Sequence, residues 1–349
     1  MSKARRTVLI VATVLLVTGA AIAMGAFAAA GFNLANLSTV NGWERTTDTF
    51  APEAETPHTS LVVNSGGYGV RIERGESDSF EVVSWSNSEM GVEVSDENGT
   101  LTVRSYRKNT FSFMQLDLDR RDRATVVKVP ASYTGSIAIE SGSGSVSVYN
   151  LEGLSSFSID MSSGYAVVTH VTAEEASLRM TSGNMDVSHL QANNVSTFTM
   201  SGSINLSSVT ATQAIKTETG SGNHHLSALS APEVIVRTMS GYIDASSIDA
   251  TDISFDITSG NVNASLTGSA SDYIIDTSVT SGNLSIPKGS SDGGRYLSVH
   301  MGSGSADITF DKSPGAPAQS IPSFPKTPTP PAAPAAPSAP AAPEAPAMP

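Results

Sequence analysis

The sequence predicts an all-β protein, a single-stranded parallel β-solenoid (β-helix) of about nine coils. Three observations predict this fold: a Ser-Gly pair recurs every 19–22 residues, apolar residues alternate with polar ones on both sides of each pair, and small hydroxylated residues are abundant. A single coil of this length cannot bury its own apolar face, so coils in series must stack on one another.

The glycine of the Ser-Gly pair marks the register of each coil. It occurs at Gly144, Gly164, Gly183, Gly202, Gly222, Gly241, Gly260, Gly282 and Gly304. With this glycine as position 0, apolar residues fall at −7, −5, −3, +2, +4 and often +7. The spacing of two indicates strands with one buried face, and the odd step across the glycine requires a bend there. An antiparallel sandwich is the alternative, but it gives no reason for so constant a register.

Side chains at the outward positions are mostly uncharged, with hydroxyls and amides at +1 and +5. Position −4 carries charges of alternating sign, which predicts cross-strand pairs between stacked coils. The expected pairs are Asp160–Arg179 and Glu218–Arg237–Asp256. The coil at Gly202 departs from the pattern, because Phe198 and Met200 stand where polar residues are expected.

Residues 1–31 begin with Lys3, Arg5 and Arg6, and an uncharged, mostly apolar run follows from Thr7 to Gly31. That run is long enough to cross a hydrocarbon core of about 30 Å as a helix. It predicts an uncleaved signal anchor, and hence a single-pass cell-membrane protein with its C-terminal domain extracellular. The alternative is a cleaved signal peptide and secretion of the remainder.

Three further segments surround the coils, which we assign to residues 131–312. Residues 32–57 are predicted as a linker, and 58–130 as an irregular N-terminal β region that caps the open sheet edge. Within the latter, residues 107–123 are interpreted as a capping hairpin, with a functional patch as the alternative. This stretch contains Phe111, Phe113, Met114, Arg120 and Arg121. Residues 313–349 hold 13 of the 18 prolines and predict a disordered Pro/Ala tail, with a spacer or a proline-rich ligand as alternatives.

The repeat motifs resemble a known family. After the basic start and apolar segment come GFNLANLSTV, an irregular β region closing on VKVP, and then SGSV, SGNM, SGSI, SGYI, SGNV and SGNL. Together they resemble the bacterial "putative-adhesin" family of β-strand-repeat proteins, a domain of unknown function, over about residues 32–310. The resemblance implies an exported, envelope-associated β-helical protein, and it supplies no catalytic residues.

Composition excludes several kinds of chemistry. The net charge of −13 disfavours nucleic acid as a partner, and the absence of cysteine excludes thiol catalysis and cysteine-bound metals. His170 and His189 share position +6 on adjacent coils and could approach a divalent metal, but no third ligand accompanies them. His224 is expected inward and His225 outward, so they cannot chelate one ion. We therefore expect no metal, cofactor or catalytic residue.

These observations favour an exported, membrane-anchored adhesin or envelope surface protein that acts as a non-catalytic binding scaffold. Its expected partner is a glycan or another cell-surface ligand. The alternative is an envelope structural or stress-regulatory module that binds a partner protein through the irregular N-terminal β region. A carbohydrate-active β-helix enzyme is a third hypothesis, although no pair of carboxylates stands out with the spacing that glycoside hydrolysis needs.

Overall fold

The computed structural model describes residues 3–29, 31, 43–51, 57–87, 90–108 and 123–311. Within these ranges the chain has one α-helix, α1 (Lys3–Ala29), a short 3₁₀ turn (Ala270–Asp272), and otherwise β-strands. The strands are β1 (Glu44–Phe50), β2 (Ser60–Gly66), β3 (Val70–Arg74), β4 (Phe80–Ser86), β5 (Met90–Glu97), β6 (Thr100–Arg107), β7 (Thr125–Val129), β8 (Ser136–Ser141), β9 (Ser145–Thr267), β10 (Tyr273–Ser285) and β11 (Arg295–Asp311). The prediction of an all-β, solenoid-like protein is confirmed.

The N-terminal helix bears on the prediction of a membrane anchor at residues 1–31. In the part of the chain that the structure describes, no helix combines the length and the apolarity needed to cross a membrane. Alanine, glycine and threonine make up much of α1, and they offer less apolar surface than leucine or phenylalanine. The prediction of a single-pass membrane protein, anchored by residues 1–31 with an extracellular C-terminal domain, is therefore wrong.

Strand β9 contains the regular coils, and burial alternates along its whole length. In the coil at Gly164 the inward positions include Met161, Ala166, Val168 and Val171, all essentially buried. The alternation of buried and exposed positions shifts by one residue near the glycine, near +6 and again near +10, so each coil has three sides. Residues 19 positions apart, such as Thr169 and Ser188, are hydrogen-bonded, which shows that successive coils stack in register.

The repeated glycine is required by this stacking. Gly202 has a φ of 136°, and a Cβ atom added there would lie 1.7 Å from the carbonyl oxygen of Gly183 in the coil below. The same clash, at 1.7–2.0 Å, recurs at the equivalent glycines from Gly164 to Gly304. No other residue leaves room for the neighbouring carbonyl at this bend, so the glycine period records the coil period.

The last two coils are not stacked in chain order. Strand β11 pairs in parallel with β9, aligning Gly304 with Gly260, and β10 pairs in parallel with the far side of β11. The chain therefore passes over one rung, forms the end coil as β10, and returns to insert β11 beneath it. The longer spacing of 22 residues before Gly282 and Gly304 supplies the extra chain for these crossings.

The coils at the N-terminal end are also stacked out of chain order. Strands β2 and β3 form a coil that stacks on β8 and the start of β9, while β6 and β7 lie on its other side. Strands β4 and β5 then pair antiparallel with β7 and β6, and β1 pairs antiparallel with β4. Strand β1 thus lies inside residues 32–57, the predicted linker. Most of the predicted capping hairpin (109–122) and the Pro/Ala tail (313–349) lie outside the described residues.

Candidate functional site: an open groove across the coils

A groove with a volume of about 690 Å³ crosses six coils on the side that precedes the glycine bend. Outward residues at −4 and −2 form its walls, and inward residues at −3 form its floor. Its lining comprises Phe198, Met200, Glu218, Thr219, Gly220, Arg237, Thr238, Met239, Asp256, Ile257, Thr258, Ser278, Thr280, His300, Met301 and Gly302. The volume lies in the range typical of ligand pockets.

One wall of the groove is apolar. Met200 and Met239 are 55% and 64% exposed, although both side chains stand on a surface that is otherwise polar. Gly220 lies between them on the middle coil, and a Cβ added there would be 2.7 Å from the Met200 carbonyl oxygen and 3.4 Å from the Met239 Cε atom. The missing side chain leaves a notch between two thioethers, which we call the methionine notch (Met200, Gly220 and Met239).

The other wall carries a row of charges. Arg237 donates hydrogen bonds to Glu218 Oε1 and to Asp256 Oδ2, each at 3.2 Å, and His300 Nδ1 lies 3.3 Å from Asp256 Oδ1. These bonds, that to Asp256 first, raise the pKa of Arg237 above its ordinary value. Two carboxylates face one permanent cation, so the row is net negative when His300 is neutral.

The interior beneath the groove is unusually polar. Thr219 donates a hydrogen bond of 2.9 Å to Thr238, whereas the buried hydroxyls of Thr197 and Thr217 have no partner among the described residues. His224 is fully buried in the same stretch of coils, and neither ring nitrogen has a partner there. Burial, with a smaller effect from the neighbouring His225, lowers the pKa of His224 to about 4, so its ring is neutral at pH 7.

A second, polar surface lies on the coil side that follows the glycine. Its +3 positions place Asp186, Asn205, His225 and Asp244 in one row. Asp186 accepts hydrogen bonds from Asn205 and from the Tyr165 hydroxyl, and His225 Nδ1 lies 3.9 Å from Asp244. A depression of about 240 Å³ opens beside the last three residues of this row.

The two histidines at position +6 are stacked as the sequence predicts. The rings of His170 and His189 lie with their centroids 4.4 Å apart and their planes 12° from parallel, and both residues have positive φ. Ring-nitrogen lone pairs lie in the ring planes, so two parallel rings do not point them at one common ion. Within the described ranges, no group of three metal-ligating side chains is present.

The remaining sequence predictions have mixed outcomes. The Glu218–Arg237–Asp256 pairing is confirmed. The Asp160–Arg179 pair is wrong, since the Arg179 guanidinium instead lies 5.0 Å from the centre of the Phe198 ring. The sequence patterns did not predict the methionine notch, although they contain a signal for it. Phe198 and Met200 occupy outward positions in this coil, whereas Thr197 and Thr199 occupy the buried positions.

Comparison with solved structures finds distant likenesses. A putative adhesin of Parabacteroides distasonis is 16% identical, with 75% of this chain and 97% of that chain covered, and a TM-score of 0.47. A putative adhesin of Bacteroides fragilis is 12% identical, covering 77% and 97%, with a TM-score of 0.41. A putative lipid binding protein of Parabacteroides distasonis is 18% identical, covering 78% and 98%, with a TM-score of 0.41. These likenesses are too distant to assign a ligand.

Among curated protein sequences, none matches this chain. A family model does match, and it spans residues 58–315, the whole stack of coils together with its N-terminal β region. That match covers well over half of the chain, and it agrees with the solenoid-like fold described above. The chain belongs to the Toastrack DUF4097 family.

Proposed function

We propose that this protein is an adhesin-type, non-catalytic binding scaffold whose groove receives a segment of a partner protein. The observation that carries the proposal is the methionine notch, in which two exposed thioethers flank the space left by Gly220. Methionine is flexible and polarisable, so such a surface adapts to apolar side chains of different shapes. The expected partner segment inserts an apolar side chain between Met200 and Met239.

The charged side chains of the groove further restrict the composition of the partner segment. The row beside the notch has the two carboxylates of Glu218 and Asp256 and one permanent cation, Arg237. A lysine or arginine in the bound segment would be attracted to these carboxylates, whereas an acidic segment would be repelled. We therefore expect a segment that carries a basic side chain next to the apolar one.

The arrangement of the carboxylates supports a binding rather than a catalytic role. Glu218 and Asp256 both accept hydrogen bonds from Arg237, so one guanidinium occupies the space between the two carboxylates. Their oxygen atoms are oriented toward one guanidinium and not toward each other across a cleft. The proposed scaffold therefore holds its partner without transforming it.

A peptide display library, selected against the full-length chain, tests the proposal. Selected peptides should combine an apolar residue with Lys or Arg, and the double substitution Met200→Ser/Met239→Ser should weaken their binding by at least about tenfold. Tyr165→Ser is the control, since it removes a large side chain that is 40% exposed and lies outside the groove. Equal binding by both variants, or selection of acidic peptides, would contradict the proposal.

A second candidate function is glycan binding by the polar row Asp186, Asn205, His225 and Asp244. It is favoured by the preset orientation of Asp186, which two donors hold in place, and by the depression beside the row. A glycan array would distinguish the two candidates. Binding that is lost on Asn205→Ala/Asp244→Ala and kept in the methionine double variant would support the glycan alternative, and release of sugar products would argue against a non-catalytic protein.

A further inference from the structure

The methionines of the coils fall into two classes. Met200 and Met239, the thioethers of the methionine notch, stand at outward positions and are more than half exposed. The others stand at inward positions and are each at most 3% exposed: Met161, Met180, Met185 and Met301. A reagent in solution therefore reaches the sulfur atoms of the notch far more readily than those of the core.

Packing of the coils does not require methionine at these two places. Both residues occupy position −2, where the equivalent residues of the other coils are small or hydroxylated: Gly142, Ser162, Thr181, Gly220, Thr258, Thr280 and Gly302. An outward side chain at this position adds nothing to the core, which lies on the opposite face of the strand. The two thioethers therefore act at the surface.

The end of the Met239 side chain lies over the glycine of the notch. A Cβ atom added to Gly220 would be 3.4 Å from the Met239 Cε atom, which is ordinary van der Waals contact. The sulfur is bonded directly to this methyl group, so an oxygen atom added to the sulfur would occupy the notch or its rim. A change at this one atom alters both the width and the polarity of the notch.

We propose that Met200 and Met239 form a modification site for hydrogen peroxide, and that their oxidation to methionine sulfoxide closes the notch to apolar side chains. In each reaction the sulfur lone pair attacks one peroxide oxygen, an S–O bond forms and the O–O bond breaks. The proton on the transferred oxygen passes to the departing hydroxide, which leaves as water. The thioether is oxidised by two electrons and the peroxide is reduced.

Oxidation reverses the property on which partner binding depends. A thioether is apolar and flexible, whereas a sulfoxide is polar and carries an oxygen atom that accepts hydrogen bonds from water. An apolar side chain entering the oxidised notch would remove that water without replacing its hydrogen bonds, which is unfavourable. Methionine sulfoxide can be reduced back to methionine by enzymes, so the closure is reversible.

Mass spectrometry of the full-length protein after brief exposure to hydrogen peroxide tests the site itself. In the folded protein, Met200 and Met239 should be oxidised at least about tenfold faster than the buried Met161, Met180 and Met185, since a buried sulfur reacts only when its coil opens. In urea the five rates should become similar. Similar rates in the folded protein, or faster oxidation of the buried group, would overturn the proposal.

Retention on a phenyl column tests the closure of the notch without any partner. The double variant Met200→Leu/Met239→Leu keeps apolar side chains of similar volume but has no sulfur to oxidise at these positions. Met24→Leu is the matched control, since it removes a methionine that is 68% exposed and lies outside the groove. Peroxide should shorten the retention of the control more than that of the double variant, and equal shortening would overturn the proposal.

The effect on partner binding rests on the proposed function and is measured with the peptides selected by display. Peroxide should weaken peptide binding by the Met24→Leu control at least about tenfold, whereas the affinity of Met200→Leu/Met239→Leu should be the same before and after treatment. An equal loss in both variants would overturn the proposal. If display yields no peptide, the proposed function fails, while the oxidation rates and the column retention still decide whether the notch is a modification site.

Discussion

At the scale of single residues, His224 is the most informative side chain. Its ring is fully buried at the inward position +2, and both nitrogens lack partners in the described part of the chain. Burial lowers its pKa to about 4, compared with about 6.5 in an unfolded chain. Between these values the unfolded state binds more protons than the folded state, so the free energy of unfolding must fall as the pH falls.

The substitution His224→Leu should remove this acid sensitivity. In the unmodified protein the His224 contribution should cost about 3 kcal/mol as the pH drops from 7 to 4, since the pKa difference is roughly 2.5 units. The variant should keep a correspondingly larger share of its stability at pH 4, measured by urea unfolding across this range. His225→Leu removes the exposed neighbour and should retain most of the pH dependence. Parallel curves for the unmodified protein and His224→Leu would refute the assignment.

At the scale of structural elements, one side chain of β11 contacts both β9 and β10 where the order of the last two strands is exchanged. Arg295, the first residue of β11, lies 2.9 Å from Asp249 Oδ1, 3.0 Å from Thr267 Oγ1 and 3.1 Å from the Tyr273 hydroxyl. These partners belong to the last turn of β9 and the first residue of β10. Arg295 therefore joins the three strands at the point where the chain crosses over a rung.

Replacing this side chain should loosen the last two coils only. Arg295→Met should lower the free energy of unfolding by roughly 2 kcal/mol, since charge-assisted bonds in a partly buried site are lost. Arg237→Met removes another doubly paired arginine that is more exposed, and it should cost less than about 1 kcal/mol. Hydrogen exchange should accelerate in β10 and β11 of the Arg295 variant but not in the coil at Gly183. Uniform acceleration along β9 would show that the coils do not open separately.

At the scale of the whole molecule, the fold is nearly one-dimensional. Each coil contacts the coils directly above and below it, and residues about 19 positions apart make the cross-coil hydrogen bonds, as in the pairs Asn194–Gln213 and Thr219–Thr238. In such a stack the stability is approximately a sum over coils and their interfaces. Removal of one complete coil should therefore leave the others able to stack.

Deletion of residues 176–194 removes one full period and joins Glu175 to Val195, which is equivalent to the lost Ala176. The shortened chain should fold with a native β-type circular dichroism spectrum and lose about 1–3 kcal/mol of unfolding free energy. Deletion of residues 176–185, about half a period, brings unlike positions together and should abolish cooperative unfolding. Equal behaviour of the two deletions would contradict the stacked-coil description.

The sequence by itself determined the coil register, because each Ser-Gly bend leaves no room for a side chain and the apolar residues alternate around it. It also predicted the Glu218–Arg237–Asp256 row, since these residues share position −4 on consecutive coils. Two predictions from the sequence were wrong. Among the described residues no helix, α1 included, is long and apolar enough to cross a membrane, and Arg179 lies beside the ring of Phe198, its neighbour on the next coil, rather than beside Asp160.

Only the tertiary structure decided how the ends of the stack are built and how the groove is completed. Chain order would place Ser278 beside Asp256, whereas the insertion of β11 brings His300 there instead. Parallel coils with the same register pair equally well in either order, so the local pattern cannot choose between them. The crossings at 268–272 and 286–294 connect the strands in the exchanged order, Arg295 bonds to residues on both sides of the first crossing, and this order sets which side chains face the groove.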